Sequence, residues 1–262
     1  MSDNRALVRI SKDREESARQ CAAFILDRLR HAIAQRNIAT IALSGGHTPK
    51  LLFSKLAASG FDWSHVHFFW VDERCVPPDS DESNYKLAQQ TLLHPARVPN
   101  ANIHRIRGEM PPEEAAAAYV EEIRNFFHLG PHELPVFDLI HRGIGADAHT
   151  ASLFPGEPLI HDRAGIAAAV WVDKLKSHRV TLLPGVLWAA RCTVIQAEGQ
   201  DKAEPVYNVL YGPEDPLQYP CQIAARDPER TVWFLDQLAA SKLPQSSLSE
   251  PASRTSASSQ TR

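Results

Sequence analysis

Short apolar runs alternate with helix-patterned stretches along most of this chain, and that alternation constrains the fold more than any other feature. Residues 38–43 and Val66-His-Phe-Phe-Trp-Val71 read as buried strands, the second rich in aromatic and β-branched residues. Further strands are expected at Val136–Ile140, Ala168–Val172, Val180–Leu183, Thr193–Ala197 and Val232–Leu235. Between them lie helices. Residues 13–36 carry Ala18, Ala22, Ile25, Leu29 and Ile33 at helical spacing. Thr48-Pro49 reads as an N-cap followed by proline at the first helical position. Residues 84–93 and 112–128 continue the pattern, and the early acids Glu113 and Glu114 complement the helix dipole. Strands alternating with helices predict an α/β fold with a largely parallel sheet flanked by helices.

The 262 residues show no internal repeat and no linker that would divide the core. A single α/β domain over 1–241 is expected. Residues 242–262 are rich in serine and poor in apolar side chains, so this tail is expected to be disordered. The net charge of -3 argues against nucleic acid as a partner. No run approaches the ~20 apolar residues of a membrane helix, and the charged N-terminus does not read as a signal peptide. Cys21, Cys75, Cys192 and Cys221 form no C-x-x-C pair, so they read as free thiols in a reducing compartment. The expected setting is cytoplasmic, without membrane attachment. Nothing fixes the oligomeric state; a monomer is the working expectation.

Four constellations could carry chemistry. In Gly143-Ile-Gly-Ala-Asp-Ala-His-Thr-Ala-Ser-Leu-Phe-Pro-Gly156, glycines brace Asp147 and His149 just after an expected strand. An imidazole titrates near neutral pH, so His149 is a natural general base, with Asp147 placed to hold it. A histidine capping the next segment is the plainer alternative. In Ser44-Gly-Gly-His-Thr-Pro49, Gly45 and Gly46 permit close backbone approach where a helix begins, and Ser44 and Thr48 add hydroxyls. That is a phosphate cradle or a tight turn, and the residues alone leave the two even. Asp72-Glu-Arg74 follows a strand, where it would face a ligand crevice. Arg74 could stabilise an oxyanion, with Asp72 or Glu73 orienting it; a solvated charge cluster is the alternative. Cys75 beside Arg74 lacks an evident partner for thiol chemistry. Arg179 and Lys202 could each complete an anion site or be ordinary surface charges. His65 and His67 share strand spacing but lack further ligands in a metal pattern. Neither a dinucleotide fingerprint nor a nucleophile elbow is present.

Leu43–Pro49, residues 69–78 with Ser83-Asn-Tyr85, and Gly143–Gly156, in that order, resemble the 6-phosphogluconolactonase family. Asn102–Ile106, Arg179–Leu182 and Trp233–Asp236 add weaker support. The resemblance implies a modified Rossmann-like fold of the glucosamine-6-phosphate deaminase and ribose-5-phosphate isomerase type. It implies hydrolysis of 6-phospho-D-glucono-1,5-lactone in the oxidative pentose phosphate pathway, with no metal or organic cofactor. It places Ser44, Gly45, Gly46, Thr48, Arg179 and Lys202 around the phosphate, Asp72 and Arg74 at the sugar, and Asp147 and His149 at the reaction centre. A related isomerase or deaminase, or a non-catalytic sugar-phosphate sensor, are the alternatives. Two departures stand out. Ala148 occupies a place where the family usually has glycine, and His141-Arg142 replaces apolar residues before the Gly-x-Gly.

Overall fold

The computed structural model describes residues 7–244. Strands β1 (Leu7–Ser11), β2 (Ala39–Leu43), β3 (Val66–Trp70), β5 (Leu139–Gly143), β8 (Thr193–Ala197) and β9 (Thr231–Asp236) form one sheet. Its order is β1-β9-β8-β5-β2-β3, and every pair in it is parallel. Helices α1 (Arg14–Arg36), α2 (Pro49–Ala57), α3 (Asn84–Ala88), α4 (Pro112–Phe127), α5 (Pro184–Ala189) and α6 (Ala203–Tyr211) accompany it. β4 (Asp72–Arg74), β7 (Ser177–Leu182) and β6 (Ala167–Val172) make a second, antiparallel sheet in the order β4-β7-β6.

Local chemistry explains the elements. Asp13 caps α1 by accepting from the Glu16 amide at 2.8 Å, and Asn37 ends it in the left-handed region at φ 59°. The strands β2, β3 and β8 are almost wholly buried because helices cover both faces of the sheet. The main core joins α1, α2 and α4 to the sheet, and a smaller cluster lies under α6. The Tyr119 hydroxyl donates to the Trp70 carbonyl at 2.7 Å and accepts from its amide at 2.9 Å, pinning α4 to the end of β3. Val71 then joins the two sheets. Its amide donates to Leu43 and its carbonyl accepts from Leu182, each at 2.8 Å.

Several expectations are corrected. Asp72–Arg74 is a strand paired with Thr181–Arg179, not a loop; antiparallel pairing with β7 keeps this charged triplet extended. β5 begins three residues later than expected and runs through His141 and Arg142, because pairing with β8 continues to Gly143. Thr48 is already helical (φ -58°, ψ -46°) and its side chain makes no capping bond. β1, α5 and α6 were not foreseen. Leu243 is buried in the cluster under α6, inside the stretch expected to be a disordered tail. Residues 245–262 of that tail lie outside the described residues.

Connectivity locates the site. From β2 the chain moves to β3 on one side, and later returns to β5 on the other side of β2. This divergence opens a crevice at the carboxyl ends of β2 and β5, where α/β sheets bind ligands. The register aligns Leu43 with Trp70, and Gly143 with Gln196, so the loops after β2, β5 and β8 share one rim.

Candidate active site

A cleft of about 400 Å³ occupies that rim. It is lined by Ser44, Gly45, Gly46, Thr48, Asp72, Arg74, His149, Arg179 and Lys202. Of the ten residues that the resemblance places at the site, Asp147 alone is not in the lining. It stands behind His149 and borders a neighbouring cleft.

The loop after β5 is closed on itself. The Gly145 amide donates to the His149 carbonyl at 2.8 Å, the Ala148 amide to the Gly145 carbonyl at 3.0 Å, and the Thr150 hydroxyl to the Gly143 carbonyl at 3.0 Å. Within it, His149 Nδ1 donates to Asp147 Oδ1 at 2.6 Å, and Lys174 Nζ donates to Asp147 Oδ2 at 2.9 Å. The His149 bond, helped by Lys174, holds the Asp147 carboxyl well below the usual range despite partial burial. The Phe154 ring stacks on the imidazole, with centroids 4.2 Å apart. Nδ1 is thus committed to the carboxylate, and Nε2 keeps its lone pair for a proton.

Gly145 is required by this packing, since a Cβ there would lie 2.0 Å from His149 Nδ1 and 2.7 Å from Asp147 Oδ1. Ala148 takes φ +64° and buries its methyl group. An L-residue can hold that left-handed conformation at a cost of about 1–2 kcal/mol, so alanine in place of glycine leaves the loop closed.

The β2 loop presents the N-terminus of α2. Among the described residues, no hydrogen bond engages the Ser44 or Thr48 hydroxyl, and Gly46 takes φ +101°. Gly45 packs against the buried Asn84 side chain, which a Cβ would meet at 1.8 Å. Asn84 Nδ2 in turn donates to the Asp72 carbonyl at 2.9 Å, tying this loop to β4. Lys202, between β8 and α6, contacts Asp201 at 2.9 Å.

Arg74 and Arg179 stand opposite each other across the β4–β7 pair and give the cleft a cationic wall. Arg179 lies 3.9 Å from Asp72 Oδ2 and 5.9 Å from the Phe154 ring centre. Burial lowers its pKa, opposed by Asp72 and reinforced by Arg74. Asp72 Oδ2 also accepts from Ser152 Oγ at 2.6 Å, linking this wall to the His149 loop. Ser152 was missed from sequence; its only signal was a hydroxyl inside an apolar run.

Glu73 does not engage the Arg74 guanidinium, which donates instead to the Glu82 carbonyl. Its buried carboxylate accepts from the amides of Arg74 (2.8 Å), Asn84 (2.7 Å) and Tyr85 (2.7 Å) and from Ser83 Oγ (3.0 Å). Burial raises its pKa and these four bonds oppose the rise. Glu73→Ala strands four donors, so unfolding in urea should show a loss of about 3 kcal/mol. A loss well under 1 kcal/mol would reject this anchoring role.

Other candidates recede. Burial and Glu73 push the Cys75 thiol up to about 11, opposite to a nucleophile's need. His65 faces the Asn37 carbonyl and His67 faces His104, so the two histidines do not converge. His141 and Arg142 are both fully buried, so they do not expose the strand end. Arg142 points away from the cleft, toward the Ile223 carbonyl. No helix among the described residues is long and apolar enough to cross a membrane.

An open helix end, a cationic wall and a carboxylate-backed imidazole around one crevice define an α/β enzyme for a small anionic substrate. The family described as glucosamine-6-phosphate isomerases/6-phosphogluconolactonase matches residues 12–233. The chain belongs to this family. It is 36% identical over 220 residues to the 6-phosphogluconolactonase of Synechocystis sp., covering 84% of this chain and 90% of that protein. It is 35% identical to the Streptomyces coelicolor 6-phosphogluconolactonase, covering 97% and 100%. The solved 6-phosphogluconolactonase of Thermotoga maritima superposes with a TM-score of 0.76 at 28% identity, covering 88% of this chain and 99% of that one.

Proposed function

We propose that this chain hydrolyses 6-phospho-D-glucono-1,5-lactone to 6-phosphogluconate. The observation that carries the reading is the Asp147-backed imidazole sharing one cleft with the open N-terminus of α2. The names of its relatives support the same substrate. The phosphate sits over Ser44, Gly45, Gly46 and Thr48, where amides and a helix dipole favour a dianion, with Lys202 and Arg179 adding charge. Asp72 and Arg74 line the sugar end. His149 Nε2 removes a proton from water as the oxygen attacks C1. Arg74 stabilises the oxyanion. His149 then returns the proton to the ring oxygen as the C1–O bond breaks. Asp147 fixes the imidazole's tautomer and offsets its transient charge.

The test is a coupled assay on freshly generated lactone, corrected for spontaneous opening. Acceleration above that background supports the reading. Release of ammonia or a ketose phosphate from an amino-sugar phosphate, without lactone hydrolysis, would move the chain to the isomerase side of its family. Lys202→Ala should raise KM roughly 10- to 100-fold, the scale of one charge-assisted contact, with a smaller loss in kcat. An unchanged KM removes Lys202 from the phosphate site.

A further inference from the structure

The cleft holds a chain of polar groups outside the motif residues. His141 on β5 and Gln196 on β8 are buried, yet both line the cleft together with Glu198. His141 Nε2 lies 3.4 Å from Gln196 Oε1, and Gln196 Nε2 donates to Glu198 Oε1 at 2.9 Å. Burial holds the His141 pKa down to about 4, so the ring is neutral and its Nε2–H points at Gln196. That leaves the Gln196 amide with its N–H groups toward Glu198. A half-buried carboxyl is thereby held in a cleft built for an anion. Ionised, it repels a phosphate dianion; protonated, it donates a hydrogen bond to one.

We propose that Glu198 carries the proton with which the cleft takes up its phosphorylated ligand, donating as the neutral acid to a ligand oxygen while Gln196 and His141 hold it in place. This deepens the sugar-phosphate reading of the site and rests on it.

The surroundings favour such a group. Burial pushes the Glu198 carboxyl up to about 7, with Asp236 adding to the rise and the Gln196 bond and Arg14 opposing it. The titratable groups facing it are Arg14 and Cys21 on α1, His141 on β5, Asp201 and Lys202 after β8, and Asp236 at the end of β9. Cys21 is a buried thiol raised well above its ordinary value, hence uncharged. Asp201 is engaged by Lys202, and Asp236 accepts from the Gly199 and Ala239 amides. His47 and His149 share the cleft. A bound dianion adds negative charge and shifts Glu198 further toward the acid. The linkage sign follows: affinity is full below about pH 7, falls as the pH rises above the free carboxyl's value, and levels off once the pH passes its value in the complex.

The test is calorimetric titration of the full chain with 6-phosphogluconate, in buffers of different ionisation enthalpy, between about pH 7.5 and 8.5. A phosphate ester, with its second pKa near ~6, is already a dianion there. Wild type should take up close to one proton per ligand, with Kd weakening by as much as ~10-fold per pH unit. Glu198→Gln should bind without that uptake and with a nearly flat Kd. Gln196→Met removes a donor to the carboxylate and should move the onset of the affinity loss to higher pH. Wild-type binding without proton uptake overturns the proposal, as does wild-type uptake in Glu198→Gln or failure to bind 6-phosphogluconate. The lactone assay is read separately. Proton-linked binding without lactone hydrolysis would reject the lactonase reading and keep this one; hydrolysis with proton-free binding would do the reverse.

Discussion

His149→Ala is expected to lower kcat by ~10²–10⁴-fold, the usual range for a general base, while 6-phosphogluconate still binds. That corresponds to about 3–5 kcal/mol of transition-state stabilisation. The expectation rests on an imidazole held on one side by Asp147 at 2.6 Å and on its face by Phe154, with Nε2 left for water. Asp147→Asn is the sharper companion. An amide can present N–H to Nδ1 and turn the ring to its Nε2–H tautomer, which cannot accept a proton from water. Its kcat should fall by ~10²-fold or more, with KM little changed. Steady-state kinetics, corrected for unaided lactone opening, decide both cases. Near-normal kcat in a folded His149→Ala variant removes His149 as the base.

Gly145→Ala should be comparably damaging although it replaces none of the reacting groups. The added methyl carbon falls 2.0 Å from Nδ1 and 2.2 Å from Cε1 of His149, and 2.7 Å from the Asp147 carboxylate. Phe154 blocks a simple retreat of the ring. The imidazole must therefore leave its carboxylate, and kcat should fall by ~10²-fold or more, whereas overpacking costs the fold only about 1–3 kcal/mol. A variant that turns over at the wild-type rate would show that the Asp147–His149 contact is dispensable. Loss of kcat with an intact NMR signature for that contact would assign the damage elsewhere.

The legible parts of this molecule were those where pattern and burial agree. Strands such as Val66–Trp70 and helix α1, with Asp13 at its start, follow directly from apolar periodicity and capping. The loops with Ser44 and His149 stood out because glycines stand beside two hydroxyls in one and beside an Asp-x-His pair in the other, and the strand order brings them together. Asp72–Arg74 was illegible as a strand because its extension depends on pairing with β7, about a hundred residues later. His141 and Arg142 hid the end of β5, since polar residues normally mark an exit from the core, yet here both are buried. Gln196 escaped notice because its partner His141 lies on a neighbouring strand, and Glu198 because Gln196 is what holds it. Glu73 was misread because three of its four donors come from residues 83–85, about ten positions later, and the fourth is the Arg74 amide rather than its guanidinium.

The hydrogen bonds that shape the corner from Gly143 to Thr150 run largely among its own atoms, whereas the proposed grip on phosphate rests on the segments after β2 and β8 and on Arg179 of β7. Mutations can therefore rewrite one apparatus while sparing the other. An ancestor with this layout could trade one reaction for another and keep the same handle on its substrates.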